Sequence, residues 1–157
     1  MFRENPKKEI EKIIKEFFEK MTLPASAVEV VLKKEDKDAD AADVIVKSEE
    51  PQILIGQGGQ TLFEIQKLLR FIINKKLSAN FYLNLDINDY KKKKTDYLRE
   101  FAREAADEVA LKKEEKKLPA MPSYERRIIH AELAQRSDVT TESQGEGLER
   151  FIVIKPK

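Results

Sequence analysis

The chain has 157 residues, 41% of them hydrophobic, which is enough for one ordinary domain or two very small ones and too apolar for a disordered segment. Its 30 Lys and Arg nearly cancel 29 Asp and Glu, so no overall field draws in nucleic acid or a membrane surface, and any anion site must rest on local arrangement. The lack of Cys and the single His exclude disulfides, thiol nucleophiles and ordinary zinc sites; the charged start MFRENPKKEIEK, with no apolar run of about 18 residues after it, points to a soluble cytoplasmic protein without membrane insertion.

Residues 7 to 21 place Ile10, Ile13, Ile14, Phe17, Phe18 and Met21 on one face of a helix. After Pro24, AVEVVLKK and DVIVK read as two strands of a hairpin joined by the acidic loop EDKDADAA. Asp36, Asp38 and Asp40 have the spacing of a calcium loop, but the central Gly is missing and Lys47 stands where the twelfth-position Glu is needed, so the segment reads as a solvated loop. Next comes ILIGQGGQTLFEIQ, residues 53 to 66, where a short apolar run meets three glycines and turns helical. Leu62, Ile65, Leu68, Leu69, Ile72 and Ile73 continue that helix as a stripe, Phe63 and Phe71 read as core, and FYLNLDI alternates as a half-buried strand.

Asn88 or Asp89 can cap a long helix running to about residue 113, with Tyr97, Phe101, Ala105 and Val109 on its buried side. Lys91 to Lys94 in its first turns oppose the helix dipole unless acids or an anion offset them. The cluster KKEEKKLP closes the helix and marks a boundary, followed by a helix in SYERRIIHAELAQ and a strand, Gly-containing turn and strand in DVTTESQGEGLERFIVIKPK.

Three ligand readings compete for the glycine loop. A P-loop needs Lys before the Ser or Thr that follows its last Gly, and Gln60 stands there before Thr61. A dinucleotide fingerprint finds two of its three glycines in Gly56 and Gly58, and Asp86 could imitate its ribose-binding acid; the hairpin before and the long charged helix after are not the alternation a doubly wound sheet needs. The third reading is G-x-x-G, Gly56, Gln57, Gly58 and Gly59 between two helices. Such a backbone can carry nucleotides while the next helix offers N–H groups to phosphate.

In three stretches, LIGQGGQTLFEIQ, MPSYERRIIHAEL and VTTESQGEGLERFIVIKPK, the chain resembles the bacterial Jag (SpoIIIJ-associated) family, from about Ile10 to the C-terminus. The resemblance implies an α+β protein in which a KH domain of the prokaryotic type (type II), residues 1–88, is joined by a long connecting helix, 89–117, to a small α/β R3H domain, 118–157. It implies a cytoplasmic single-stranded RNA-binding protein, a post-transcriptional regulator of bacterial growth and cell division. RNA would cross Gly56, Gln57, Gly58 and Gly59, with Gln60 and Thr61 opening the next helix, and single-stranded DNA is an alternative ligand for the R3H part. Many members also form a complex with a small stand-alone KH protein. Two departures stand out. The family usually carries a basic residue inside the loop, whereas Gln57 and Gly58 are uncharged. Many members also have an additional N-terminal module, whose functions are not expected of a chain that begins almost at the KH helix.

Arg126 and His130 stand four apart, one turn apart on one helix face. In the R3H reading they face a nucleic-acid backbone, Arg126 as a forked donor to phosphate and His130 as a hydrogen-bonding or stacking group. In the structural reading Ile129 and Leu133 are the buried stripe and His130 sits at its edge, bonded to a backbone carbonyl. Tyr124 is the stacking candidate; Arg127 and Lys155, with Lys91 to Lys94, Arg150 and Lys157, extend an electrostatic track. No nucleophile elbow accompanies the histidine, so no catalytic residue, metal or cofactor is expected and the protein reads as a binder, not an enzyme. The alternative is a protein-interaction adaptor that pairs with a stand-alone KH protein.

Overall fold

The computed structural model describes residues 5–23, 25–34 and 40–157; Asp36 and Asp38 of the acidic loop lie outside them, as does Pro24. The described chain divides into two units, Met1–Lys91 and Lys92–Lys157.

The first unit opens with helix α1 (Pro6–Lys20), where Pro6 presets the first turn and the Asn5 side chain accepts from the Lys7 N–H. Ile10, Ile13, Ile14 and Phe18 are buried, while Met21, just past the last turn, is 37% exposed. Strands β1 (Ala27–Lys34) and β2 (Asp40–Lys47) pair antiparallel with Val30 opposite Val44, as the hairpin reading expected. Strand β3 (Phe81–Ile87) joins β2 in parallel, giving the order β1-β2-β3. A parallel neighbour needs a crossover, which α2 (Pro51–Ile55), a 3-10 turn over Gln57–Gly59 and α3 (Gln60–Leu77) supply. The glycines therefore sit inside the crossover, where the chain reverses from one helix into the next.

Leu62, Ile65, Leu69 and Ile73 of α3 pack with α1 residues and with Val44, Leu83, Leu85 and Ile87 of the sheet. Each fully buried aliphatic side chain contributes about 1.5–3 kcal/mol. Phe71 and Leu68 do not join them: they are 64% and 49% exposed, rotated around the helix from the buried stripe. Gln66 and Asn74 serve the outer edge of β3 instead. The Leu85 N–H donates to Gln66 Oε1 at 2.9 Å, and Asn74 bonds both the N–H and the carbonyl of Phe81. Side-chain amides thus occupy an edge that would otherwise present unpaired backbone groups.

Helix α4 (Tyr90–Lys112) follows. Asn88 and Asp89 both take positive φ, 51° and 58°, and turn the chain; the Asn88 amide bonds the Ser48 backbone, and Asp89 pairs with Lys47 at 2.9 Å. Asp86 also serves the start of α4, accepting from the N–H groups of Ile87 and Lys91. Its carboxylate also offsets the lysines that follow.

In the second unit Leu98, Ala102, Ala105, Ala106 and Val109 of α4 share a core with Leu118, Met121, Ile129, Leu133, Val139, Ile152 and Ile154. The small Ala residues let neighbouring elements approach. Tyr97, expected inside, is 58% exposed and stacks on Phe101 with ring centroids 6.1 Å apart. The charged cluster after α4 is part of a sheet: β4 (Lys116–Lys117) pairs antiparallel with β6 (Phe151–Pro156), which also pairs with β5 (Val139–Gln144), in the order β4-β6-β5. Helix α5 (Ser123–Leu133) precedes β5. Arg136 ties the start of β5 to α4 by bonding Asp138 through two nitrogens and Asp107 at 2.6 Å. The guanidinium holds the Asp138 carboxyl down at about 2.

Candidate nucleic-acid interface

The three glycines of the loop are not equivalent. All have positive φ: 71° at Gly56, 61° at Gly58 and 80° at Gly59. A Cβ on Gly56 would lie 2.8 Å from the Thr61 Cβ, and on Gly59 it would come 3.0 Å from the Tyr90 ring. At Gly58 it would meet nothing within 4 Å. Gly56 and Gly59 are thus fixed by packing, while Gly58 and Gln57 form the exposed tip. Gly59, in the left-handed region, stands at the N-cap of α3 with no side chain capping that end. The Gln60 amide turns back to Glu64 at 3.1 Å, and Thr61 lies half-buried against Gly56. A loop of small residues at an uncapped helix N-terminus lets an anionic backbone approach closely and offers it N–H groups.

The five residues singled out in the second unit fall into three places. Arg126 and His130 face β5. The His130 Nδ1 lies 2.7 Å from Thr141 Oγ1 and its Nε2 2.7 Å from Ser143 Oγ, while Arg126 Nη1 donates to the same Ser143 hydroxyl at 3.2 Å and its Nε to the Met121 carbonyl. The structural reading's backbone carbonyl is replaced by two hydroxyls. Burial, with the guanidiniums of Arg126 and Arg150 nearby, holds the imidazole below its ordinary value. Tyr124 and Arg127 instead line a groove with Arg99 of α4. Lys155 lies on the other face of the sheet: opposite Thr140 in register, it shares its face with Glu142, whose carboxylate it bonds at 2.6 Å, whereas Thr141 and Ser143 point towards α5. It does not join the Arg126 and His130 pair.

The lysine track also breaks up. Lys91 Nζ is held by Asn84 at 2.6 Å and Gln66 at 3.1 Å, and burial pushes its pKa down; Lys94 reaches the buried Glu125 at 3.5 Å. Lys92 and Lys93 remain exposed. Sequence reasoning missed Thr141 and Ser143. Their signal is two hydroxyls two residues apart on one strand face, legible only once the register of β5 is known.

Family models match in the same order as the two units: the KH domain over residues 7–94 and the R3H domain over residues 96–156. The chain is therefore a KH–R3H protein, one αββααβ unit carrying a G-x-x-G loop followed by a helix-and-sheet unit carrying an Arg and His face. It is 36% identical over 115 residues to the RNA-binding protein KhpB of Clostridium symbiosum, covering 73% of this chain and 52% of that one. It is 35% identical over 102 residues to KhpB of Lactiplantibacillus plantarum (65% and 32%) and 33% identical over 114 residues to KhpB of Bacillus subtilis (71% and 55%). The chain belongs to the Jag family. It spans about a third to about half the length of these curated relatives. Among the described residues no helix is long and apolar enough to cross a membrane.

Proposed function

We propose that this protein binds single-stranded RNA through both units: at Gly56 to Thr61, and along helix α5, where Arg126 and His130 face β5 and Tyr124 and Arg127 line the neighbouring groove. The observation that carries the reading is the loop itself. Its two packed glycines hold the backbone in the left-handed region while the tip at Gly58 stays open, at a helix end that no side chain caps. Gln57 and Gly58 add no charge, so this contact rests on backbone groups and is expected to be modest. Tethering makes the second contact intramolecular, and the two units together hold RNA better than either alone. In keeping with the family, the role is post-transcriptional regulation of growth and division in the bacterial cytoplasm.

Binding rather than catalysis fits the histidine's surroundings. Although His130 meets a serine hydroxyl, its other ring nitrogen meets Thr141 and not a carboxylate, and Arg126 occupies the same serine. An acid that would stabilise an imidazolium is not among these contacts. A second reading, an adaptor that pairs with a stand-alone KH protein, is favoured by the exposed Phe71 and Leu68 on α3. Titrating a short single-stranded RNA into the isotope-labelled chain separates them. RNA binding is expected to shift amide resonances at residues 56–61 and 126–130; shifts at neither would leave the adaptor.

A further inference from the structure

The groove between α4 and α5 of the second unit has a volume of about 510 Å³ and is lined by Arg99, Tyr124, Arg127, Ile128, Ala131 and Glu132. Its composition is that of a site for a flat, apolar-faced ligand with an anionic attachment. Ile128 and Ala131 form an apolar wall, the Tyr124 ring stands beside them, and the exposed Arg127 offers a cation at the opening.

Glu125 is 6% exposed, and a buried carboxylate is expensive unless it is paired and hydrogen-bonded. Its partners are the Tyr124 hydroxyl, which donates to Glu125 Oε1 at 3.0 Å, and Lys94 at 3.5 Å. One consequence is that the tyrosine is tethered at both its backbone and its hydroxyl, so its ring is held at the groove before any ligand arrives. Across the groove Glu132 holds two arginines of α4, Arg103 at 3.2 Å and Arg99 at 3.7 Å, fixing a second guanidinium on the opposite wall. A preset aromatic face with one held guanidinium, Arg99, and one exposed guanidinium, Arg127, is what base stacking with phosphate neutralisation requires.

We propose that this groove takes one unpaired nucleobase, stacked on Tyr124 over Ile128, with its phosphate against Arg127. Arg126 and His130 lie on the neighbouring face of the same helix, so a strand passing Arg126 would reach Tyr124 by crossing α5 at Arg127. The inference rests on the reading of this unit as a nucleic-acid site and adds to it a base pocket that the Arg126 and His130 pair does not contain.

The test uses the full chain and a ten-nucleotide single strand carrying one 5-iodouracil, in RNA and DNA forms of the same sequence. Illumination followed by mass spectrometry is expected to place the adduct on Tyr124. Affinity is expected to fall about tenfold in Tyr124→Leu, and Tyr124→Phe is expected to retain most of it because the ring remains. Circular dichroism checks the fold of each variant, and the wild-type adduct needs no variant. Adducts confined to other residues, or a folded Tyr124→Leu that binds as wild type does, would overturn the pocket while leaving RNA binding by the chain standing. No binding by wild type to either strand would remove the functional reading and the pocket with it. Equal adducts with both strands would support the pocket with the base, not the sugar, as the group recognised.

Discussion

The first unit offers its proposed ligand a backbone, and the second offers side chains. Around Gly56 to Gly59 the geometry is made by residues that lack a Cβ, and the exposed tip carries no charge. Around Arg126 and His130 the backbone is ordinary helix, and the arrangement depends on hydroxyls from a strand more than ten residues away in sequence. The first kind of site tolerates almost no change at its packed glycines yet admits substitution at its tip. The second is sensitive at its functional groups and forgiving in its backbone.

The largest effect should come from cutting the second unit at its expected boundary. A fragment 118–157 loses Leu98, Ala102, Ala105, Ala106 and Val109 from its core and is expected not to fold, whereas 92–157 keeps them and should unfold cooperatively in urea. A folded 118–157 would show that α4 is dispensable.

Within the loop, Gly56→Ala drives a Cβ against Thr61 at positive φ and is expected to cost about 2–4 kcal/mol. Gly58→Ala meets no neighbour and is expected to cost only the left-handed penalty, about 1–2 kcal/mol. Equal losses in urea denaturation would erase the distinction between packed and open glycines.

The smallest effect is a pH dependence between pH 7 and pH 5 that rests on His130 of the second unit. The His130 pKa is lowered in the folded state, so as pH falls through the ordinary value of 6.5 the unfolded chain takes up its proton first and stability declines towards the folded pKa. Glu108 and Asp138, both held near 2, contribute stability above their ordinary values of 4.5 and 3.8 and begin to lose it only below those. A fall of no more than a few degrees in Tm between pH 7 and pH 5 is expected, absent in His130→Gln.

This contrast also explains what the sequence could reveal. Positive φ is a local property, so GQGGQT announced its turn, and the alternation of FYLNLDI and the stripe of α1 announced their burial. Asn88 and Asp89 take positive φ at the corner before α4, a place whose residue types a cap and a left-handed turn share, while the carboxylate that accepts the Lys91 N–H, Asp86, belongs to the preceding strand. Phe71 and Tyr97 misled because an aromatic near a helical stripe need not lie on it. The partners of His130 and the isolation of Lys155 follow from the pairing of β5 with β6, which no local pattern prints.

The central claim, that both units hold one RNA strand, is tested most directly by the affinity of a labelled single-stranded RNA for wild type, Gly58→Asp and Arg126→Ala. Asp tolerates the left-handed backbone and enters open space, so Gly58→Asp should leave the fold intact while placing a negative charge where a phosphate would pass. Each variant is expected to lose about tenfold or more, roughly 1.4 kcal/mol. Three equal affinities, or no binding by wild type, would contradict the account.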